Sequence, residues 1–111
     1  YNTWSYETDE AMSVDALREM VKRRLPSSVY RCKGVIYAAD QPGHRAILQC
    51  VGRRTDVTFD TPWGNRTPKT QIVAIGVGMF PGDLEAQFDR CFADRPAEEI
   101  ESLAGLRTVR I

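Results

Sequence analysis

The chain has few of the residues that enzymes and metal proteins rely on. Its 111 residues include one histidine, His44, and three cysteines, Cys32, Cys50 and Cys91, with no Cys-x-x-Cys pair. An odd count without that spacing argues against a disulfide framework or a zinc knuckle. Free cysteines are typical of a reducing cytoplasm, which is where we expect the protein to be. The sequence contains no G-x-x-x-x-G-K-[ST] loop, so we expect no P-loop nucleotide site and no enzyme activity in this chain.

An excess of positive charge and a long apolar run are also missing. Lys and Arg number 15, as do Asp and Glu, and this balance argues against a dedicated nucleic-acid binder. Val35 follows Lys33-Gly34 where an RNA-recognition sheet would carry an aromatic residue. No apolar run approaches the about 20 residues that span a bilayer. We therefore expect neither a nucleic acid nor a membrane as partner.

The chain does contain alternating and helical apolar patterns. Period-2 alternation predicts strands, and apolar residues spaced by three or four predict helices. Ser13 and Asp83 are typical helix N-caps, and Pro26 is typical of a helix end. The predicted strands are Asn2–Glu7, Tyr30–Ala39, His44–Arg53, Asp56–Asp60 and Thr70–Gly76, and the predicted helices are Val14–Leu25 and Leu84–Asp94.

This order of elements predicts an α+β two-layer sandwich. We expect a mainly antiparallel sheet of four to five strands with two helices on one face, a ferredoxin-like split βαβ arrangement with an inserted strand. Residues 1–95 form the predicted domain. Residues 96–111 form a C-terminal extension, in which Glu98–Leu103 could be a helical turn and Leu106–Ile111 a short strand. With no initiator Met and no signal-peptide pattern, we expect the chain to be a fragment of a larger protein.

Residue parity divides the predicted second and third strands into two faces. One face is small or apolar and suits helix packing; it carries Tyr30, Cys32, Gly34, Ile36 and Ala38, then Ala46, Leu48, Cys50 and Gly52. The opposite face has an apolar centre with a basic rim, a composition that suits a protein interface. We predict an interaction surface at Arg31, Lys33, Tyr37, Arg45 and Arg53.

A metal-binding module is the alternative. Cys32 and Cys50 share a parity across the predicted hairpin, and with His44 they would offer three zinc ligands. Buried free cysteines also serve as small apolar residues, so both interpretations stand at this point. The sequence shows no Ser-His-Asp arrangement, and we expect no catalytic residues.

Six short motifs run along the chain in order. They are WSY at Trp4–Tyr6, RCKG at Arg31–Gly34, RAILQ at Arg45–Gln49, VGRR at Val51–Arg54, PWG at Pro62–Gly64 and TQIVAIG at Thr70–Gly76. In order and spacing they resemble the C-terminal domain of the CobW family, also described as the cobalamin synthesis protein family. The resemblance covers about Asn2 to Ala93, with the helical segment LEAQFDRCFA closing the domain.

The resemblance implies that the catalytic activity of the parent protein resides in another domain. Proteins of that family are P-loop GTPases that act as metal chaperones or insertases, with the Walker motifs and a Cys-rich metal motif in the N-terminal half. It implies that this chain is a non-catalytic accessory domain that packs on the GTPase domain of the same parent and relays its state or recruits a metalloprotein client. The parent would use GTP, Mg and a transition metal such as zinc or cobalt, in metal delivery or cobalamin-related metabolism.

Overall fold

A computed structural model describes residues 1–92 as one antiparallel sheet with two helices. Residues 93–111 lie outside the described part, and with them the helical turn and strand predicted within 96–111 and the predicted helix end at Asp94. The elements are β1 (Asn2–Thr8), α1 (Val14–Arg23), β2 (Val29–Tyr37), β3 (His44–Val51), β4 (Arg54–Pro62), β5 (Thr70–Gly76) and α2 (Pro81–Asp89).

The strand order confirms the predicted two-layer arrangement. The five strands lie in the order β1-β5-β2-β3-β4, and every neighbouring pair is antiparallel. Since β1 and β2 both run antiparallel to β5, they are parallel to each other with β5 between them. This is the split βαβ unit, with α1 as its connection, and β3 and β4 widen the sheet beyond it.

The helix α1 begins where the sequence predicts and ends two residues earlier. Ser13 Oγ accepts a hydrogen bond from the backbone N–H of Ala16 at 3.2 Å, as an N-cap does. At the other end, Arg24 is the C-cap and its N–H bonds to Met20 O. Leu25 precedes Pro26, and that position disfavours helical backbone, so the predicted end at Leu25 was too late.

The second helix differs from its prediction at the N-terminus. It starts at Pro81, its N-cap is Phe80, and no side chain caps it, so Asp83 lies in the first turn rather than at the cap. Proline suits a first helical position because its missing N–H would have no partner there. The predicted apolar face is correct, since Leu84, Phe88, Cys91 and Phe92 are all buried.

The core lies between the helices and one face of the sheet. Trp4 stacks on Phe88 with ring centroids 5.5 Å apart, which joins β1 to α2. The largest fully buried side chains are Phe88, Met12, Leu17, Met20, Ile36, Leu48, Ile72 and Leu84. Cys32 and Cys50 are buried among them, as the parity argument predicts.

Two positions assigned to the core face are exposed instead. Tyr30 is half exposed because the β2–β5 register shifts between Val29 and Arg31, which puts Val29 inside. Gly52 lies beyond the end of β3 in a turn, with φ of +61° that favours glycine. The predicted strand His44–Arg53 therefore ends at Val51, and Arg53 belongs to the turn.

Candidate interaction surface

The sheet face that the helices leave uncovered carries exposed aliphatic side chains. Arg31 on β2 lies between Ile75 on β5 and Val51 on β3. Val51 is 51% exposed, Val73 is 43% exposed and Ile75 is 37% exposed. A large apolar side chain exposed alone is ordinary, but neighbours on one face form a patch that marks a contact surface.

This open-face patch has basic residues inside it. Lys33 lies between Val73 and Gln49, two residues along β2 from Arg31 and on the same face. Half-buried Val35 and Ile47 continue the patch toward the other end of β2. We define the open-face patch as Arg31, Lys33, Val35, Ile47, Val51, Val73 and Ile75.

Two nearby carboxylates on this face are paired with cations outside the patch. They therefore do not neutralise the positive charge of the patch. Glu7 pairs with Lys69 at 3.2 Å and accepts a hydrogen bond from Gln71, which lowers the pKa of Glu7. Asp60 pairs with Arg45 at 2.6 Å, which lowers the pKa of Asp60. The ion pairs within residues 1–92 involve neither patch cation, so both charges are free for a partner.

The five residues of the predicted interaction surface lie in different surroundings. Arg31 and Lys33 are exposed at the centre of the sheet. Tyr37 and Arg45 face each other across β2 and β3 at the far end, and both are half-buried. Arg53 is exposed in the β3–β4 turn and lines a groove with Lys22 and Tyr30 at the end of α1. The structure therefore brings two of the five into the patch.

A loop covers the Tyr37 end of this face. Trp63 packs edge-on against Tyr37, with ring centroids 6.4 Å apart, and is almost fully buried. Its backbone N–H bonds to Gly43 O at 3.1 Å, which fixes the loop on the β2–β3 turn. This contact confines the accessible surface to the part of the sheet around Arg31 and Lys33.

The three candidate metal ligands do not meet. Cys32 and Cys50 are direct partners on β2 and β3, but His44 lies six residues from Cys50 on β3, which is about 20 Å along a strand. His44 is exposed at the hairpin end, whereas both cysteines are buried. Within residues 1–92 there is no group of three or more His, Cys, Asp and Glu side chains that could hold a metal. Within this part of the chain, the three predicted ligands therefore do not form one group, and the metal-binding alternative stays a prediction.

The comparison with known families fits this geometry. The family described as "Cobalamin synthesis protein cobW C-terminal domain" matches residues 1–92, which is most of the chain. The chain belongs to this family. The resemblance drawn from the short motifs is thereby confirmed, and the predicted α+β fold agrees with it.

Solved structures show the same fold as this CobW C-terminal domain. The Zn(II)-bound YjiA GTPase from E. coli matches with a TM-score of 0.71 and 24% identity, over 81% of this chain and 29% of that one. A Zn(II)-bound triple mutant of YjiA GTPase matches with a TM-score of 0.70 and 21% identity, over 82% and 29%. Among curated proteins, none matches this sequence. The CobW C-terminal domain thus spans under a third of the length of the GTPases it resembles.

Sequence reasoning missed part of the patch of this CobW C-terminal domain. Val73 and Ile75 belong to a strand so apolar that it predicts burial on both faces, yet both are exposed. Their exposure follows from the position of this strand beside β2. The sequence pattern alone does not give that position, so it held no signal for these two residues. No helix among residues 1–92 is long and apolar enough to cross a membrane.

Proposed function

We propose that this CobW C-terminal domain is a non-catalytic accessory domain whose open-face patch docks on the GTPase domain of the same parent chain. The observation that carries the proposal is the exposed aliphatic trio Val51, Val73 and Ile75 around two cations, Arg31 and Lys33, that form no ion pair within residues 1–92. An interface centre is typically more apolar than the rest of a surface, with arginine enriched. The partner surface would be apolar with acidic groups opposite the two cations.

The helix layer supports the choice of this face. The large apolar residues of α1 and α2 are buried in the domain's own core, so the helices have no comparable apolar stripe to offer. The exposed aliphatic residues of the sheet, by contrast, have no cover within residues 1–92. A domain joined to a larger protein gains from burying such a patch, at about 25 cal/mol per Å² of apolar surface.

The proposed parent is a GTPase that handles a metal. Family membership and the Zn(II)-bound YjiA GTPase support this step. The parent would bind GTP, Mg and a transition metal such as zinc or cobalt outside this domain, since residues 1–92 offer no metal cluster. We propose metal delivery to a metalloprotein client, or a role in cobalamin-related metabolism, in the cytoplasm. The accessory domain would transmit the nucleotide or metal state of its GTPase domain.

Charge reversal in the intact parent protein tests the docking. The Arg31→Glu, Lys33→Glu double variant should change GTP turnover and separate a single calorimetric unfolding transition into two, because undocked domains unfold independently. A repulsive contact between like charges inside an interface weakens association by about tenfold or more. Wild-type turnover together with a wild-type transition would remove the proposal.

Lys22→Glu is the matched control. Lys22 is an exposed cation on α1, in the opposite layer from the patch. Lys22→Glu changes the net charge by the same amount as each of the two patch substitutions. It should leave GTP turnover and the calorimetric unfolding transition unchanged. An equal effect of the control would show that overall charge, not the patch, matters.

A further inference from the structure

Cys32 and Cys50 lie directly opposite each other in the middle of the sheet. They are Cα partners on adjacent antiparallel strands, so their side chains leave the same face. Both are buried beneath the helix layer, at 1% and 2% exposure. Neither belongs to the open-face patch, which is on the other side of the sheet.

The hydrogen-bond pattern of β2 and β3 fixes the separation of this pair. The N–H of Gly52 donates to Tyr30 O at 2.9 Å, so these two residues form a hydrogen-bonded pair. Hydrogen-bonded and non-bonded pairs alternate along antiparallel strands. Two positions along in register, Cys32 and Cys50 are again a hydrogen-bonded pair, with Cα atoms about 5.5 Å apart. Disulfides form at Cα separations of about 4.4–6.8 Å.

The two thiols also affect each other's ionisation. The interaction with Cys50, together with burial, raises the pKa of Cys32, and the interaction with Cys32 lowers the pKa of Cys50, because a thiol that keeps its proton stabilises a negative charge on the sulfur beside it. Cys50 is therefore the sulfur of the pair that more readily becomes a thiolate, the nucleophilic form.

We propose that Cys32 and Cys50 form a reversible disulfide within the folded domain when it meets a peroxide. The Cys50 thiolate attacks one peroxide oxygen, the O–O bond breaks, and the displaced hydroxide takes a proton to give water and a Cys50 sulfenic acid. The Cys32 sulfur, as its proton leaves, attacks the sulfenic sulfur and displaces hydroxide, which takes that proton as a second water. Two thiols are oxidised, one peroxide is reduced, and one S–S bond is formed.

Cys91 provides an internal comparison. It is buried like the other two, but it lies on the turn after α2, and its S–H donates to Gln87 O at 3.6 Å. Burial raises the pKa of Cys91 to about 12, which keeps it a thiol. It has no cysteine opposite it in residues 1–92, so it should not enter an intramolecular bond.

The test is exposure of the full chain to hydrogen peroxide under native conditions. After quenching and denaturation, two of the three thiols should be lost, the intact mass should fall by two hydrogens, and digestion should yield one cross-linked peptide joining Cys32 to Cys50. Dithiothreitol should restore all three thiols. Cys91→Ser should give the same cross-link, and Cys50→Ser should give none.

Other products would overturn the proposal. The proposal would be contradicted by three free thiols after exposure or by a disulfide that involves Cys91. It would also be contradicted by a disulfide that forms only between chains, or by Cys50 sulfinic acid beside a free Cys32 thiol. The wild-type chain alone decides among these products, so the conclusion holds even where a serine variant fails to fold. The result is independent of the proposed docking, because no GTPase domain takes part.

Discussion

The hydroxyl of Tyr6 on β1 donates a hydrogen bond to Oδ1 of Asp89 at the end of α2, over 2.9 Å. The Tyr6 ring also stacks on Trp4, with centroids 5.3 Å apart. Burial and the Asp89 carboxylate raise the pKa of Tyr6 above its usual value, because both disfavour a phenolate. This contact fastens the edge strand of the sheet to the second helix, 83 residues away along the chain.

Removing the Tyr6 hydroxyl should loosen that attachment. We expect Tyr6→Phe to lower the free energy of unfolding by about 1 kcal/mol, the usual value of one hydrogen bond, because the ring contacts remain. Urea denaturation at pH 7 measures the difference. Tyr30→Phe is the control, since that hydroxyl makes no hydrogen bond within residues 1–92 and should cost little. A loss no larger than the control's would contradict the assignment.

The same pair predicts a dependence on alkaline pH. The folded pKa of Tyr6 is raised above the unfolded value of about 10, so its contribution to stability is complete below pH 10 and is lost as the pH rises above it. The stability difference between wild type and Tyr6→Phe should therefore shrink as the pH passes 10. A difference that stays constant across that range would show that Tyr6 ionises as freely in the folded protein as in the unfolded chain.

Gly34 should not accept a side chain. An added Cβ would lie 2.7 Å from Gln71 O and 2.8 Å from Ile72 Cγ1, where β2 approaches β5. Overpacking of this kind costs about 1–3 kcal/mol, so Gly34→Ala should lower the denaturation midpoint accordingly. Gly43→Ala is the matched control, because a Cβ added there, in the β2–β3 turn, would have nothing within 4 Å. Equal midpoints for both variants would contradict the close approach.

The Arg45–Asp60 ion pair should contribute most at neutral pH. The Arg45 guanidinium lowers the folded pKa of Asp60 below its unfolded value of about 4, so this contribution is present above pH 4 and is lost as the pH falls below it. Asp60→Asn should be less stable than wild type at pH 7, and the two should converge in acid. Asp56→Asn, on the same strand but outside the ion pairs of residues 1–92, should show no such convergence.

Trp63 should matter for its ring and not for its N–H group. The indole Nε1 is buried without a hydrogen-bond partner in residues 1–92, while the ring packs on Tyr37. We expect Trp63→Ala to cost about 3 kcal/mol through lost packing. Trp63→Phe should cost much less, because it keeps an aromatic ring and removes the unpartnered donor. Thermal unfolding of the two variants measures this, and equal costs would show that the N–H is needed.

Local patterns were sufficient for the elements and the inner face. Alternating or continuous apolar patterns predict all five strands, and helical spacing with Ser13 predicts the start of α1 at Val14. Small and apolar residues at one parity of β2 and β3 predict the core side, including Cys32 and Cys50. Such features depend on neighbours in sequence, because side chains alternate in a strand and recur every 3.6 residues in a helix.

Strand register and long-range contacts determined the features that the sequence patterns did not predict. A shift in the pairing of β2 with β5 beside Val29 turned Tyr30 outward. His44 shares a strand with Cys50 but stands at its other end, which separates the proposed metal ligands. These outcomes depend on which strand pairs with which, and a pattern read along one strand does not contain that information.

The sequence by itself determined the α+β class, the strand–helix order, the family, and the absence of a P-loop from this chain. Only the tertiary structure decided which charges remain free. Placing β5 beside β2 joined Val73 and Ile75 to Arg31 and Lys33, whereas placing β4 beside β3 gave Arg45 its partner Asp60. The physical reason is that a contact surface is made of residues adjacent in space, and strand pairing brings together residues that are far apart along the chain.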